Sequence, residues 1–457
     1  MAITFQNLCI DVPVDYVCIE DFQLEHQMNQ HGWATVKILL EDNANQDVVQ
    51  KFSINDRIKI YTSGKNGSTI FVGVPIKVQM SHIGMFFRLT IQLYSVTILL
   101  DLKKKSRSFQ NISMTYRELI AGIVKEYSGL VKDLASNGKK LKGPYIQYEE
   151  TDWEFLLRMS SCVGAVFYSP ISAKVPNCVV GIQKENKYNL KDMPHTTRKN
   201  IKQHLQEKTY EGKGTEDGAK EYIVRTVEHY QVGDEITFHD VCGIVMSVSA
   251  NMSRGRMVFC YRIKQEKGIF QLQRYNSRIA GNSIEGKVLE IDKHQLKLHL
   301  SIDESQKKDE AFSYPFSTQY TGKNSTGWYA MPEVGQSVNL FVPKNDETAA
   351  FITKVNRTDG DNNQKTVDPL TKYFGTKEGR EMKLAPEEVT FSAVEEKTFI
   401  KLSDNGGVTI QTPDDIKLNG KVFSSTCKSF DITSKEKIVL VASDSSIVVD
   451  NVMHIKG

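Results

Sequence analysis

The residues of this sequence best suited to chemistry are its seven cysteines, and they are spread over the whole chain. Metal sites and disulfide frameworks need close or regular spacing, and no Cys-x-x-Cys pair occurs. Their number is odd, which leaves at least one thiol unpaired. The spacing therefore predicts reduced, mostly buried thiols that pack as small apolar side chains. The seven are Cys9, Cys18, Cys162, Cys178, Cys242, Cys260 and Cys427.

Local motifs for catalysis or cofactor binding are also missing. The sequence has no His-Glu-x-x-His metal motif and no Gly-x-Ser-x-Gly nucleophile elbow. Gly64-Lys65 and Gly322-Lys323 contain the Gly-Lys pair of a phosphate loop, but both lack its upstream Gly and its following Ser or Thr, so both predict turns. Gly212-x-Gly214 follows no apolar strand, which a dinucleotide fingerprint requires. We therefore expect no catalytic residue, no cofactor and no resident metal.

Length and composition indicate a folded chain of several domains. At about 150 residues per domain, 457 residues predict three domains. Apolar residues make up 40% and charged residues 25%, which is ordinary for a globular protein. The 58 Lys and Arg residues nearly balance the 55 Asp and Glu residues, and a net charge of +3 does not suggest a nucleic-acid partner. The start, MAITFQNLCIDVPVDYV, has neither the basic nor the apolar region of a secretion signal, so we expect synthesis in the cytoplasm and any export by another route.

The sequence of the N-terminal part predicts β-strands that bury one face and expose the other to solvent. Apolar residues alternate in successive runs, and the turn-forming segment 63–68 separates two of them. We expect a small antiparallel barrel or sandwich, and we assign residues 1–108 to a first β barrel. The runs are Val36/Ile38/Leu40, Ile58/Ile60, Ile76/Val78/Met80 and Leu89/Ile91/Leu93.

Two short helices are predicted in the next segment. Thr115 and Thr151 each open a Thr-x-x-Glu capping box that precedes apolar residues at helical spacing, and Gly164 is a plausible stop for the second helix. Segment 191–213 is polar and predicts an exposed loop or a short helix. Alternation resumes at 221–229, 235–249 and 257–272. Residues 109–275 therefore predict an α+β segment and a second β barrel.

Residues 281–357 predict a separate β unit. Five short strands within about 75 residues suit a five-stranded OB-type barrel. A polar run at 359–366 is typical of a linker, and we assign 358–373 to a linker or neck. The strand candidates are Ser283–Ile291, Gln295–Ile302, Phe312–Thr318, Ser337–Val342 and Ala349–Val355.

The last 60 residues differ from everything before them, because short apolar doublets alternate with polar residues and no helix signal interrupts them, and we assign residues 374–457 to a spike. Segments 438–442 and 447–449 are apolar on both faces. A monomer would leave such strands with open edges, whereas winding identical chains about one axis hides them. We predict a trimeric β-helix or β-prism, with an ordinary small β domain as the alternative. The doublets are Val408/Ile410, Ile416/Leu418, Phe430/Ile432, Ile438/Leu440, Ile447/Val449 and Met453/Ile455, and the predicted spike core is Ile432, Ile438, Leu440, Ile447, Val449, Met453 and Ile455.

Four local motifs then occur in a characteristic order. They are Ser106–Phe109; Gln147-Tyr148 with Thr151, Asp152, Trp153, Glu154, Phe155, Leu156, Arg158, Gly164 and Phe167; Pro332-x-Val334-Gly335; and Phe374-Gly375-Thr376 with Gly379-x-Glu381-Met382. Together they resemble the hub-and-spike proteins of contractile injection machines, the VgrG and phage late-control D family. From the residues alone, Trp153 and Phe155 would pin a helix to its sheet, and Gly335 would permit a tight turn.

The resemblance implies a mainly β fold with a small α+β part: two N-terminal β barrels with short helices, an OB-type barrel, and a C-terminal trimeric β-helical spike. It implies a structural baseplate hub that joins a six-fold inner tube to a three-fold membrane-piercing spike. The implied partners are two further copies of the chain, a hexameric tube protein above, baseplate proteins around the hub, and a PAAR-like tip protein or effector cargo at the spike end. The assembled particle would be ejected or released from a bacterial cell.

Relatives with enzyme domains give sharper expectations. Some carry a lysozyme between the OB barrel and the spike, but the join from Val355 to Tyr373 is too short for one. Others carry a toxin after the spike, whereas this sequence stops at Gly457. Some related spikes end in His-x-His and hold an iron ion between three chains. Here only His454 is present, and alternation predicts that it faces outward, with a three-histidine site on the trimer axis as the alternative.

Two other classes of function stay open at this point. A tail-associated cell-wall hydrolase would need an active site that no motif reveals. A trimeric β-fibre adhesin would need an export signal that the sequence lacks. The resemblance itself covers type VI secretion, contractile phage tails and phage-tail-like bacteriocins alike.

Overall fold

Most of the alternating N-terminal runs form strands with one buried face, whereas in the run Ile76/Val78/Met80 the first residue is exposed and the other two are half-buried. The computed structural model describes residues 2–41, 46–64, 67–184, 186–190, 193–211, 215–239, 241–317, 320–321, 327–328, 330–356, 363–450 and 453–456. In β3, alternate residues such as Val36 and Ile38 are fully buried, as a period of two requires. The first six strands are β1 (Leu8–Asp11), β2 (Tyr16–Gln27), β3 (Trp33–Leu40), β4 (Ile58–Thr62), β5 (Thr69–Ile83) and β6 (Phe86–Ser95).

The next segment contains both predicted helices and surrounds them with short strands. Both capping boxes are confirmed, because Thr115 and Thr151 each accept the amide of the Glu three residues on, and that Glu reaches back. Gly164, with a φ of +72°, follows the second helix. The elements are β7 (Lys104–Phe109), α1 (Tyr116–Lys125), β8 (Val131–Asp133), β9 (Tyr145–Thr151), α2 (Asp152–Cys162), β10 (Phe167–Tyr168) and β11 (Cys178–Val180).

One 12-stranded sheet contains the strands on both sides of this segment. The later strands are β12 (Lys187–Asn189), β13 (His195–Lys199), β14 (Lys220–Thr226), β15 (Glu235–Phe238), β16 (Val241–Ser253) and β17 (Arg256–Lys264), with α3 (Ile201–Glu211) after β13. Strand β2 pairs antiparallel with β16, from Gln23 opposite Asn251 to Gln27 opposite Ser247.

The pairing of β2 with β16 joins the two regions predicted as barrels into one sheet and satisfies backbone groups at two strand edges. The barrel boundary at residue 108 stays a prediction. The predicted strand 235–249 is also divided in two, at a turn where His239 has a φ of +47°. The predicted strand 257–272 ends earlier, at Lys264.

The third part has the five strands that the sequence predicts, with ends that differ by a few residues. The elements here are β18 (Asn282–Asp292), β19 (Gln295–Leu300), β20 (Ser313–Pro315), β21 (Tyr320–Thr321), β22 (Gly327–Trp328), β23 (Ser337–Val342) and β24 (Phe351–Val355). A five-stranded sheet runs in the order β20-β19-β18-β23-β24. A parallel bridge between Phe316 and Ile352 connects its two ends. Leu298 and Leu340 are among the fully buried residues inside it.

The chain divides into two compact units, Met1–Thr358 and Asp359–Gly457. The second unit has a five-stranded antiparallel sheet, then segment 412–437 without helix or strand, then a three-stranded antiparallel sheet. Its strands are β25 (Lys372–Gly375), β26 (Glu381–Ala385), β27 (Glu388–Val394), β28 (Thr398–Ser403), β29 (Gly407–Gln411), β30 (Ile438–Ala442), β31 (Ser445–Val449) and β32 (Met453–Lys456).

Several predictions concern positions outside the described residues. They are the turns at 65–66 and 322–324, the Gly212-x-Gly214 loop, part of the linker at 359–362, and the side chains of Met453, His454 and Ile455. Among the helices in the described ranges, none has the length and apolar character needed to cross a bilayer.

Candidate functional site

The motif around residue 151 forms a buried ionic cluster centred on Asp152. Its carboxylate accepts hydrogen bonds from Lys105 (2.7 Å), Arg107 (2.8 Å), Tyr127 (2.6 Å) and Gln147 (2.9 Å). Burial raises the pKa of Asp152, but the hydrogen bonds from Lys105, Tyr127 and Gln147 outweigh it, so the pKa lies below its ordinary value. These contacts hold the start of α2 against β7 and β9.

A second cluster, which we call the ionic clamp, consists of Arg158, Glu150 and Glu347. Arg158 donates from Nη2 to Glu150 Oε2 at 2.7 Å and from Nη1 to Glu347 Oε1 at 2.7 Å. The three side chains are only 4–5% exposed. Burial works against the charged form of Arg158, but the two carboxylates raise its pKa above the ordinary value. The clamp joins α2 to the five-stranded part of the first unit, because Glu347 lies just before β24.

The remaining residues of the family-like motifs lie in turns or pack in the cores. Trp153 is buried and its ring lies 5.2 Å from that of Phe167, while Phe155 stacks on Phe109. Gly335 has a φ of +92°, which confirms the predicted tight turn. Pro332 is buried beside that turn, whereas Val334 is exposed. The sequence did not reveal Lys105, Tyr127 or Glu347 as members of these clusters, since no local pattern marks them.

The five-stranded sheet of the second unit has one largely apolar face, with Lys372 opposite Leu384 at its edge. Directly opposed residues of an antiparallel pair share a face, and so do residues two apart along a strand. The register therefore places two cross-strand rows side by side, and we call them the apolar face. The rows are Phe374–Met382–Phe391–Ile400–Ile410 and Leu384–Val389–Leu402–Val408.

This apolar face is exposed in the single chain. Phe391 and Ile400 are 46% and 44% exposed. The opposite face of the same sheet is mostly polar, although Phe399 lies on it, and there Glu388 forms ion pairs with Lys383 (2.9 Å) and Lys401. Because the sheet has one wet face and one apolar face, the apolar face has the composition of a surface that becomes buried.

Segment 412–437 forms no helix and pairs with none of the described strands. Two predicted doublets, Ile416/Leu418 and Phe430/Ile432, lie here outside any strand, and all four residues are exposed. The predicted strands are therefore absent within the single chain, where the alternating pattern has no neighbouring strand to pair with. Ile416 lines a cleft of about 680 Å³ with Phe391 and Ile400.

The three-stranded sheet brings the rest of the predicted spike core together. Ile438 lies opposite Val449 and Leu440 opposite Ile447, so these four residues share one face. The register continues with Ile455 opposite Ile447 and Met453 opposite Val449. Leu440 is nevertheless 57% exposed. Strands β30 and β31 thus repeat the property of the larger sheet, an apolar face that stays partly exposed.

In the described residues, the potential metal ligands and the thiols do not form a metal site. Within the described part of the chain, no group of three or more His, Cys, Asp or Glu residues could hold a metal ion. All seven cysteines are free, and only Cys178 is buried. The prediction of mostly buried thiols is therefore wrong, because Cys18, Cys242 and Cys427 are exposed.

Two solved structures with a similar fold are a type VI secretion system component and a VgrG complex. The chain is similar to the E. coli c3393 protein, described as a component of the type VI secretion system with structural similarity to the T4 bacteriophage tail proteins gp27 and gp5. That match has a TM-score of 0.56 at 13% identity and covers 76% of this chain and 99% of that one. No protein-family model and no curated protein matches the sequence.

A second organism gives the same result. The chain is similar to the Francisella PdpA–VgrG complex in its half-lidded form, with a TM-score of 0.55, 10% identity, and coverage of 89% of this chain and 87% of that one. The lidless form matches with a TM-score of 0.52, 11% identity, and coverage of 86% and 93%. The resemblance to the hub-and-spike proteins is thus confirmed, and at these identities what is shared is the fold.

Proposed function

We propose that this chain is the structural hub and spike of a contractile injection system and works as a homotrimer. The exposed apolar face of the second unit is the observation that carries the proposal. A soluble monomer rarely exposes a contiguous apolar surface of this extent. Two further copies of the chain, arranged about a three-fold axis, would cover it.

In such a trimer the polar faces point to solvent and the apolar faces point to the axis. Segment 412–437 then pairs with neighbouring chains, which gives its backbone groups the partners that they lack within one chain. The spike core of Ile432, Ile438, Leu440, Ile447, Val449, Met453 and Ile455 lies along the same axis. Intertwined strands resist axial force, because pulling out one chain breaks many backbone hydrogen bonds together.

The first unit supplies the hub in this proposal. Its five-stranded part is an OB-type barrel, supported by the strand order and by the parallel bridge between Phe316 and Ile352. The ionic clamp and the Ser108–Asp303 hydrogen bonds, at 2.6 and 2.5 Å, fasten this barrel to the rest of the unit. A hexameric inner tube protein would dock on the hub, baseplate proteins would surround it, and a tip protein or effector would sit at the spike end.

The action of the protein is then mechanical rather than enzymatic. Sheath contraction drives tube and spike into a target envelope after assembly in the cytoplasm. Electron microscopy of the purified full chain should show three-fold particles, and the same preparation should release no fragments from peptidoglycan. Particles without three-fold symmetry would contradict the assembly, and release of soluble muropeptides would instead support a cell-wall hydrolase.

A further inference from the structure

The first unit contains an open cleft of about 880 Å³ with a marked charge imbalance. Lys139, Lys140 and Lys142 line it, and no Asp or Glu does. We call this feature the lysine cleft. It lies between α1, the end of α2 and the segment that follows β17, and it belongs to neither the ionic clamp nor the apolar face.

The lysine-bearing wall is held in place by its backbone. Thr115 and Lys140 form a β-bridge, and the Leu141 amide donates to the Met114 carbonyl at 3.0 Å. Leu141 is buried in the core beside α1, whereas its neighbours Lys140 and Lys142 are exposed and line the cleft. The backbone that carries these two lysines is therefore held in place.

The opposite wall is equally fixed. The Gln271 side chain donates to the carbonyls of Leu157 (3.1 Å) and Ala165 (3.0 Å), and the Arg274 amide donates to Ser161 Oγ at 2.8 Å. This wall presents Val163, Leu272 and Tyr275 to the cleft. The site therefore combines several cations with apolar surface on a preformed frame.

The size of the cleft and the charges around it indicate which class of anion it could bind. The cleft is much larger than one inorganic phosphate, and three lysines on one wall suit several carboxylates in a row. The neighbouring depression, across the same turn, contains Glu118 and Asp133 against a single arginine, Arg117. Because two carboxylates face one guanidinium in that depression, a phosphate backbone long enough to extend into it would meet repulsion there.

We propose that the lysine cleft binds a short acidic segment of another protein. The carboxylates of that segment pair with Lys139, Lys140 and Lys142, and its backbone lies along Tyr275. The interaction is electrostatic in origin and weakens with added salt. This role goes beyond the proposed trimer, since no trimer contact is needed for it.

A binding titration on the full chain tests this proposal. Fluorescein-labelled hexaglutamate is titrated with the protein and its anisotropy is followed at low and at physiological salt. The parent should bind saturably. The triple variant Lys139→Gln/Lys140→Gln/Lys142→Gln should bind about tenfold more weakly or worse, since three exposed charge pairs are lost.

Two controls separate the cleft from net charge and from misfolding. Lys51→Gln/Lys125→Gln/Lys344→Gln removes the same charge from scattered exposed positions and should bind like the parent. Lys139→Arg/Lys140→Arg/Lys142→Arg keeps the charge and should also retain binding. Equal loss in the scattered variant, no loss in the cleft variant, or no saturable binding by the parent would overturn the proposal. Displacement by phosphate or a single-stranded oligonucleotide more readily than by unlabelled hexaglutamate would also overturn it.

Discussion

The two units of this chain differ in where their apolar side chains lie: the first unit buries them, and the second leaves them exposed. The first unit buries its large apolar side chains in three clusters, and Phe22, Phe155 and Tyr314 are fully enclosed. In the described part of the second unit no residue is buried at all, although its strands alternate as regularly. The first unit is thus stabilised by its own buried cores. The second unit has paired strands and an apolar face, but its described residues form no core.

The comparison shows that alternation specifies a buried face without specifying what buries it. In the first unit the cover is another part of the same chain. The described part of the second unit supplies no such cover of its own, and in the proposed trimer identical copies supply it, since every copy brings the same uncovered face. The predictions below alter one unit at a time, from the largest expected effect to the smallest.

The largest effect is expected from Leu440→Asp in the second unit. In a three-fold spike one substitution places three carboxylates in a single apolar layer, where an unpaired charge is very costly. The trimer should lose its resistance to SDS and to protease, and acidic pH should partly restore it by protonating the new carboxylates.

Lys437→Asp is the matched control for this change. Lys437 precedes β30 and is exposed, so the same new charge should alter resistance by little, about 0.5 kcal/mol or less in stability. A Leu440→Asp protein as resistant as the parent would show that Leu440 does not face the axis.

The next effect concerns the ionic clamp of the first unit. Arg158→Met leaves Glu150 and Glu347 buried without a cation, which should cost about 3–5 kcal/mol. Denaturant unfolding of residues 1–358 measures it. Glu347→Gln leaves one cation and one anion and should cost much less, so equal losses in both variants would contradict the role given to the clamp.

A smaller effect is expected on acidification. The pKa of Asp152 is depressed in the folded protein, so its contribution to stability is present above the unfolded pKa and is lost as pH falls through the folded pKa. The melting temperature of residues 1–358 should fall between about pH 4 and pH 2, and Asp152→Asn should flatten that fall. An equally steep acid limb in the variant would assign the pH dependence to other carboxylates.

The smallest effect is expected at the cap of α2. Thr151→Ala removes the hydroxyl that accepts the Glu154 amide and donates to Asp101, at a cost of about 1 kcal/mol. Thr151→Ser keeps the hydroxyl and should stay close to the parent in a melting curve. If both variants melt alike, the side-chain cap contributes nothing measurable.

Local signals predicted much of the fold. Thr115 and Thr151 marked both helix starts, because a capping box is complete within four residues. The strands of residues 282–355 were predicted within a few residues, since each is a short alternating run between turn signals. The family-like motif around Thr151 also pointed correctly to a helix packed on its sheet through Trp153 and Phe155.

Local signals could not predict which strands or side chains pair when the partners lie far apart in the sequence. Nothing near β2 indicates that it pairs with β16, and nothing near Glu347 indicates that it meets Arg158 from 189 residues away. The doublets Ile416/Leu418 and Phe430/Ile432 look like those that form strands, yet they remain unpaired in the single chain. In each case the missing information is the identity of the partner, which lies far along the sequence or in another copy.

Light scattering on the purified full chain tests the central claim most directly. If three copies cover the apolar face of the second unit, the measured mass will be near three times 51.7 kDa. A stable, soluble species of 51.7 kDa at micromolar concentration would contradict the account.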